Sequence, residues 1–263
     1  MFGIFRKPAS IGIDLGTANT LMYLSGQGIV LDQPSVVAIN KKNGELLKAG
    51  KSAKQMIGKT PENIETVRPV RDGVIANKAA TDLMMQSFMK STNTQNANAP
   101  RMVIGVPSCI TDIERLAVRE AGILASREVH LIDETVAAAI GAGLPINEPT
   151  GSMIVDIGGG TTDVAVLSLG APVTSESVRV AGDEITDSIA AYLKQQYSLI
   201  VGEPTSEDSK LTIASAHQSA SADINQIELC DLNCQTGVPQ SATVHSGEIC
   251  QRIPEPPLYT KDP

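Results

Sequence analysis

Two similar α/β lobes on either side of a ligand cleft are predicted for this 263-residue chain by three observations. A loop pattern occurs twice, as Gly12-Ile13-Asp14-Leu15-Gly16-Thr17-Ala18-Asn19-Thr20 and as Val155-Asp156-Ile157-Gly158-Gly159-Gly160-Thr161-Thr162-Asp163. The elements around it (hairpin, loop, strand, then helices) are also given twice, which implies two related layers of sheet and helix. The length exceeds one average domain and is enough to bury more than one core.

Each loop places an Asp at the end of an apolar run, then glycines, then hydroxyl side chains. A missing Cβ lets backbone N–H groups approach an anion closely, and the hydroxyls donate further, so both loops read as phosphate cradles. Asp14 and Asp156 then face a metal ion, since magnesium takes a few carboxylates together with waters and phosphate oxygens. Either loop alone reads equally well as a hairpin turn. Its duplication favours the cradle.

Composition narrows the partners. A net charge of -8 and a pI near 4.9 leave no basic stripe for nucleic acid. No apolar run is long enough to span a bilayer, and Met-Phe-Gly-Ile-Phe is short for a signal segment, so a cytoplasmic protein is expected. Four cysteines without regular spacing fit reduced thiols. Cys230, Cys234 and Cys250 with His245 carry zinc-type side chains at irregular spacing, and small apolar filling is the stronger reading. Cys109 reads as a structural thiol.

The elements follow in order. Ile11–Asp14 and Leu21–Leu24 flank the first loop as a hairpin, with a third strand at Gly28–Leu31 and a fourth at Val36–Ile39 after Pro34. Ser52–Ile57 predicts a short helix. Asp72-Gly73-Val74-Ile75 leads into a helix over Lys78–Lys90, with Ala79, Leu83 and Ser87 on one line. The polar stretch from Ser91 to Ala99 is a loop, followed by a buried-type strand at Met102–Val106. Thr111 and Glu114 have capping-box spacing and open a helix running to about Ala125. The strand Val129–Ile132 delivers Asp133 and Glu134 to the head of a helix over Val136–Ala142. Met153–Asp156, Asp163–Leu169 and Val173–Val180 predict three further strands. Asp183 heads a helix marked by Ile185, Ile189, Tyr192, Leu193 and Tyr197, with Gly202 closing it. Short polar strands around a Thr-Gly-Val-Pro turn follow, then a short helix near Glu248.

The phrases IGIDLGTANT, VRPVRDGVIA, AAAIGAGLPI, EPTGSMIVDIGGGTTDVAVLSLG and SVRVAGDE closely resemble the MreB family, the bacterial actin homologues that determine rod shape. The resemblance runs from Met1 to about Arg252. It implies an actin-like ATPase fold of two ribonuclease-H-like lobes around a nucleotide cleft that holds ATP and magnesium. Asp14 with Gly16, Thr17, Ala18 and Asn19 would form the first phosphate loop. Asp156 with Gly158, Gly159, Gly160, Thr161 and Thr162 would form the second, the two Asp residues serving the metal. Glu134 falls where the family places the residue that positions the attacking water; sequence alone reads Asp133 and Glu134 as a helix cap. Gly182, Glu207 and Lys210 fall at the ribose and base. The lobes are expected at 1–145, with a small insertion at about 33–70, and at 146–253, with a small subdomain at about 182–245, followed by an irregular tail at 254–263.

Several positions depart from the family pattern. Thr135 stands for a proline after the catalytic Glu, Ala76-Asn77-Lys78 for Ala-Asp-Phe, and Ser209 for an apolar residue. A lysine in place of an aromatic questions the packing of the helix it opens. The family's later adenosine loop, last strands and closing helix have no counterpart here, so an incomplete second lobe is expected. Near the start, Phe2, Ile4 and Phe5 precede Arg6 and Lys7, a pairing of apolar and cationic side chains suited to an anionic lipid surface. The resemblance thus implies a slow ATPase that polymerises with itself at the inner face of the cell membrane and works with cell-wall elongation proteins. Two other readings stay open: a non-catalytic shortened relative that binds or caps filaments of a full-length homologue, and a chaperone- or sugar-kinase-type ATPase.

Overall fold

The structure, a computed structural model, describes residues 10–92, 101–124, 126, 128–215 and 226–250. β1 (Ser10–Leu15), β2 (Asn19–Leu24) and β3 (Gly28–Pro34) form an antiparallel meander. Next come β4 (Val37–Asn40), β5 (Leu46–Ala49), α1 (Lys51–Lys54) and β6 (Ile64–Val67), a small sheet in the order β5-β4-β6 around Val36, Ala38 and Ala53. This small sheet falls within the stretch 33–70. β7 (Val70–Arg71) and β8 (Val74–Ile75) make a two-stranded ribbon. α2 (Lys78–Ser91), β9 (Arg101–Val106), α3 (Asp112–Ile123) and β10 (Glu128–Asp133) follow. β9 runs parallel to β1 and β10 parallel to β9, so the first large sheet has the order β10-β9-β1-β2-β3. α4 (Glu134–Gly141) leads to a second meander, β11 (Ser152–Ile157), β12 (Thr162–Ser168) and β13 (Ala171–Val178). The chain continues through α5 (Gly182–Tyr197), β14 (Leu199–Ile200), α6 (Glu203–Ile213), β15 (Gln226–Asn233), β16 (Pro239–His245) and α7 (Ser246–Cys250).

The main core follows from period-2 burial. Ile11, Ile13 and Leu15 of β1 and Met102, Ile104 and Val106 of β9 point the same way and are nearly inaccessible. Met84, Met85, Phe88 and Met89 of α2 and Val118 of α3 join them in one cluster. The buried stripe of α2 is therefore Ala80, Met84 and Phe88 with Thr81, Met85 and Met89, not the line of Ala79, Leu83 and Ser87. Lys78 does not disturb that packing. It lies on the exposed side beside Asp82 at 3.1 Å and Glu120 at 3.6 Å, while the Asn77 side chain caps the helix by accepting from the Ala80 N–H at 3.0 Å. The Thr111–Glu114 capping box forms: Glu114 Oε2 accepts from the Thr111 N–H at 2.8 Å, and Thr111 Oγ1 from the Glu114 N–H at 3.3 Å.

Two compact units divide at Arg179 and Val180. The boundary expected at 145/146 follows internal similarity instead. Packing differs because α4 lies on β11 and β12 through Ala139, Ile146, Ala165 and Leu167, which ties the second meander to the first unit. The second unit has its own core of Ile189, Leu193, Leu199, Ile213, Leu229, Val244 and Ile249. Gly202 does not close α5. Ser198, in the left-handed region at φ 56°, ends that helix, and Gly202 is the N-cap residue of α6. Ser209 is fully buried on α6 with its hydroxyl donating to the Thr205 carbonyl at 2.8 Å, so a polar residue sits in the apolar position without an orphaned group. Among the described residues no helix is long and apolar enough to cross a membrane. Phe2, Ile4, Phe5, Arg6 and Lys7 lie outside the described residues.

Candidate functional site

The two glycine loops, 142 residues apart when counted from Asp14 to Asp156, meet inside the first unit. In the first loop Ser35 Oγ donates to the Gly16 carbonyl at 2.6 Å and the Ser35 N–H to the Ala18 carbonyl at 3.0 Å, fixing the turn between β1 and β2. A Cβ on Gly16 would lie 2.6 Å from the Asn19 carbonyl oxygen, so the turn requires glycine. The second loop closes by Gly158 N–H to the Thr161 carbonyl at 2.8 Å. Gly159 abuts the first loop: a Cβ there would stand 2.9 Å from Ala18 Cβ and 3.1 Å from Ala18 N. Gly160 in turn packs against Asp72 and Thr17. Thr17 and Ala18 of the first loop thus adjoin Gly159 and Gly160 of the second, with Thr162 opening β12.

Carboxylates gather beside these loops. Asp14, the last but one residue of β1, is exposed, yet the surrounding protein displaces enough water to raise its carboxyl above the ordinary value, and Asp156 raises it further. Asp156 on β11 is raised by burial and then by Asp163, its cross-strand partner on β12. Asp163 itself is 1% exposed, and its Oδ1 accepts from the Ser108 N–H at 3.3 Å. Glu134, the first residue of α4, stands over Gly105 of β9, where a Cβ would come within 3.2 Å of its Cγ. Burial, followed by Asp14, Asp163, Asp156 and Asp133, pushes its carboxyl up to about 8. Thr135 behind it is fully buried with its hydroxyl 3.5 Å from Ser108 Oγ, so the position that departs from the family pattern is packed and polar-satisfied.

Mutual repulsion of this kind is relieved by a cation. Among the described residues no three His, Cys, Asp or Glu side chains form a metal cage by themselves. The donor set therefore suits a hard cation that keeps waters and phosphate oxygens among its ligands, with Asp14 and Asp156 nearest the loops.

Gly182, Glu207 and Lys210 are also brought together, within the second unit. Lys210 Nζ lies 2.7 Å from Glu207 Oε2 and donates to the Gly182 carbonyl and to Thr186 Oγ1, both at 2.9 Å. The Thr186 hydroxyl donates to Glu207 Oε2 at 2.6 Å. Sequence reading missed Thr186, one turn after Gly182. It also missed Asp163, although an Asp at each end of a tight hairpin signals a facing pair, and it gave no site role to Asp72 and Gly73.

Comparison with known proteins places the fold in a family. The family model described as MreB/Mbl protein matches residues 8–258. The cell shape-determining protein MreB of Escherichia coli (strain K12) is 47% identical over 261 residues, 97% of this chain and 74% of that protein. The cell shape-determining protein Mbl of Bacillus subtilis (strain 168) is 43% identical over 247 residues, 93% of this chain and 74% of that protein. Among solved structures, MreB5 of Spiroplasma citri bound to AMPPNP superimposes with a TM-score of 0.86 at 38% identity, covering 94% of this chain and 74% of that one.

Proposed function

The chain belongs to the MreB/Mbl protein family, with an actin-like α/β fold, and from that premise we propose that it is a nucleotide-dependent cytoskeletal protein of bacterial cell shape. Its ligand is ATP with magnesium, and its partners are further copies of itself or of a full-length relative, the inner face of the cell membrane, and cell-wall elongation proteins. The observation that carries this reading is the meeting of two glycine loops next to converging carboxylates. Backbone N–H groups of Gly16, Thr17, Ala18, Asn19 and of Gly158, Gly159, Gly160, Thr161, with the Thr162 hydroxyl, hold the phosphate chain. Asp14 and Asp156 hold the magnesium, which when bound neutralises charge on the phosphates. Glu134 orients the water that attacks the terminal phosphate; little covalent help is needed, so a single carboxylate suffices and turnover is slow. Gly182, Glu207 and Lys210 serve the ribose and base.

Calorimetry with Mg·ATP tests the reading. Saturable binding is expected, strengthened by magnesium, and Asp14→Ala and Asp156→Ala should each remove the magnesium dependence; no binding by the parent chain refutes it. Sedimentation with and without ATP is the companion measurement for assembly.

The membrane part of the reading rests on Phe2, Ile4, Phe5, Arg6 and Lys7. Inserting one Phe gives ~1.5–3 kcal/mol and each basic residue ~1 kcal/mol near an anionic surface. One such segment binds marginally, and an array multiplies it. Deleting residues 2–7 should release the protein from anionic liposomes with its melting temperature unchanged; equal co-sedimentation rules the anchor out.

A further inference from the structure

One side chain of the second meander is unexplained by the fold. Ser177 Oγ is enclosed by protein and meets no hydrogen-bond partner among the described residues. Buried hydroxyls are nearly always paired, so one left over calls for a functional reason. The other enclosed atom of this kind, Asp82 Oδ1, needs none beyond its own ion pair, since Asp82 Oδ2 lies 3.1 Å from Lys78 Nζ. Ser177 stands in a particular place. Asp156 of β11 lies opposite Asp163 of β12, and Asp163 lies opposite Ser177 of β13, so the three form one row across the sheet. Directly opposed residues of an antiparallel pair share a face, with Cβ atoms roughly 4.5–5.5 Å apart. Alternation along β12 puts Asp163 on the face of Ala165 and Leu167, which pack with Ala139 of α4. In the middle of the row, the buried Asp163 takes the Ser108 N–H on Oδ1 at 3.3 Å, a long contact for such a bond.

We propose that Ser177 is a positioning residue of the ligand site, a reserve donor that draws the Asp163 carboxylate toward β13 and so leaves Asp156, not Asp163, to meet the cation. This rests on the nucleotide reading above. Two carboxylates facing each other across one hairpin repel, and each is a competent ligand for a hard cation. Something must choose between them. The Ser108 N–H holds one oxygen of Asp163. Turning Ser177 to another staggered rotamer brings its O–H to the carboxylate from the opposite side, because the cross-strand spacing is within reach of two short side chains. A hydroxyl donating to a carboxylate makes one of the stronger hydrogen bonds, which is the reason to keep a serine where it is otherwise orphaned. Held from both sides, Asp163 stays clear of the cation that Asp156 receives. Partners of this kind orient the ligands of metal sites without touching the metal.

The test titrates magnesium at fixed ATP by calorimetry on the whole chain and three single variants, with ATP binding in EDTA and melting temperature recorded beside it. In Ser177→Ala the half-saturating magnesium concentration should rise roughly tenfold, while ATP binding in EDTA stays within about twofold because neither glycine loop is touched. Its melting temperature should stay within about 2 °C of the parent's, since the hydroxyl has no partner to lose in the free protein. Ser177→Thr keeps the hydroxyl on a residue suited to a strand and should restore the parent's magnesium requirement. Ser175→Ala is the control for the strand itself: Ser175 lies opposite Ala165, one row from the carboxylates, and its loss should leave magnesium binding unchanged. A Ser177→Ala chain with the parent's magnesium requirement overturns the inference. So does one that melts well below the parent, which would give the hydroxyl a structural partner, and so does a Ser177→Thr chain that behaves like the alanine variant. A parent chain that binds no ATP at any magnesium concentration overturns the nucleotide reading and the inference with it.

Discussion

Glu134→Gln should melt roughly 5 °C above the parent chain at pH 9 and at the parent's temperature near pH 4, while its ATP hydrolysis falls by about a hundredfold or more. The two effects share one cause. In the unfolded chain the Glu134 carboxyl ionises at its ordinary value of 4.5, whereas in the folded chain burial and the charges of Asp14, Asp163, Asp156 and Asp133 hold its proton until about pH 8. Below 4.5 both states are protonated and the side chain costs the fold nothing. As pH rises from 4.5 to about 8 the unfolded state ionises first, so stability drains away, and above 8 the folded state carries the full cost of a confined negative charge. A shift of that size corresponds to a few kcal/mol at most, reduced to on the order of 2 kcal/mol for a half-buried group that relaxes. Glutamine keeps the shape and removes the charge, which also eases Asp14 and Asp156. Thermal melts at the two pH values with phosphate-release assays check this. A Glu134→Gln chain that is less stable at pH 9 would mean the carboxyl is paired in solution, and one that hydrolyses ATP normally would remove Glu134 from the chemistry.

That prediction rests on features legible in the sequence to different degrees. Asp14, Asp156 and their glycine loops could be read from residue type and order, since close backbone approach needs glycine and a cation needs carboxylates wherever they occur. The Thr111–Glu114 box was equally legible because its geometry is local. Asp163 and the Asp72–Gly73 turn were harder to read, since their roles arise from strand register and from contacts across 50 or more residues of chain. Helix α2 shows another limit. Ala79 and Leu83 form one apolar line and Ala80 and Met84 the next, about 100° round the helix, and only the position of β1 and β9 decides which is buried. Lys78 looked like a packing fault because a family pattern was read as a core position, whereas the first turn of α2 faces water at that residue.

The hardest feature to read is burial, and the two meanders measure how hard. Ile11-Gly12-Ile13-Asp14 and Met153-Ile154-Val155-Asp156 have the same pattern of apolar residues before a site Asp. Ile11 is 1% exposed in the cluster it forms with α2 side chains and with Met102 of the neighbouring strand β9, while Met153 is 64% exposed on β11, an edge strand of its sheet among the described residues. Ile11→Lys is therefore expected to unfold the chain, and Met153→Lys to be nearly silent. The first change forfeits ~1.5–3 kcal/mol of transfer free energy and forces an ammonium into a cluster of methionines and isoleucines with no partner, a further cost of several kcal/mol. Against a total stability of about 5–15 kcal/mol that sum is decisive. The second exchanges an exposed thioether for an exposed cation and should move stability by no more than about 0.5 kcal/mol. Yield of soluble protein and urea unfolding separate the two outcomes. If Met153→Lys also unfolds the chain, the outer face of β11 is covered in solution, and the apolar sequence before Asp156 serves a second core.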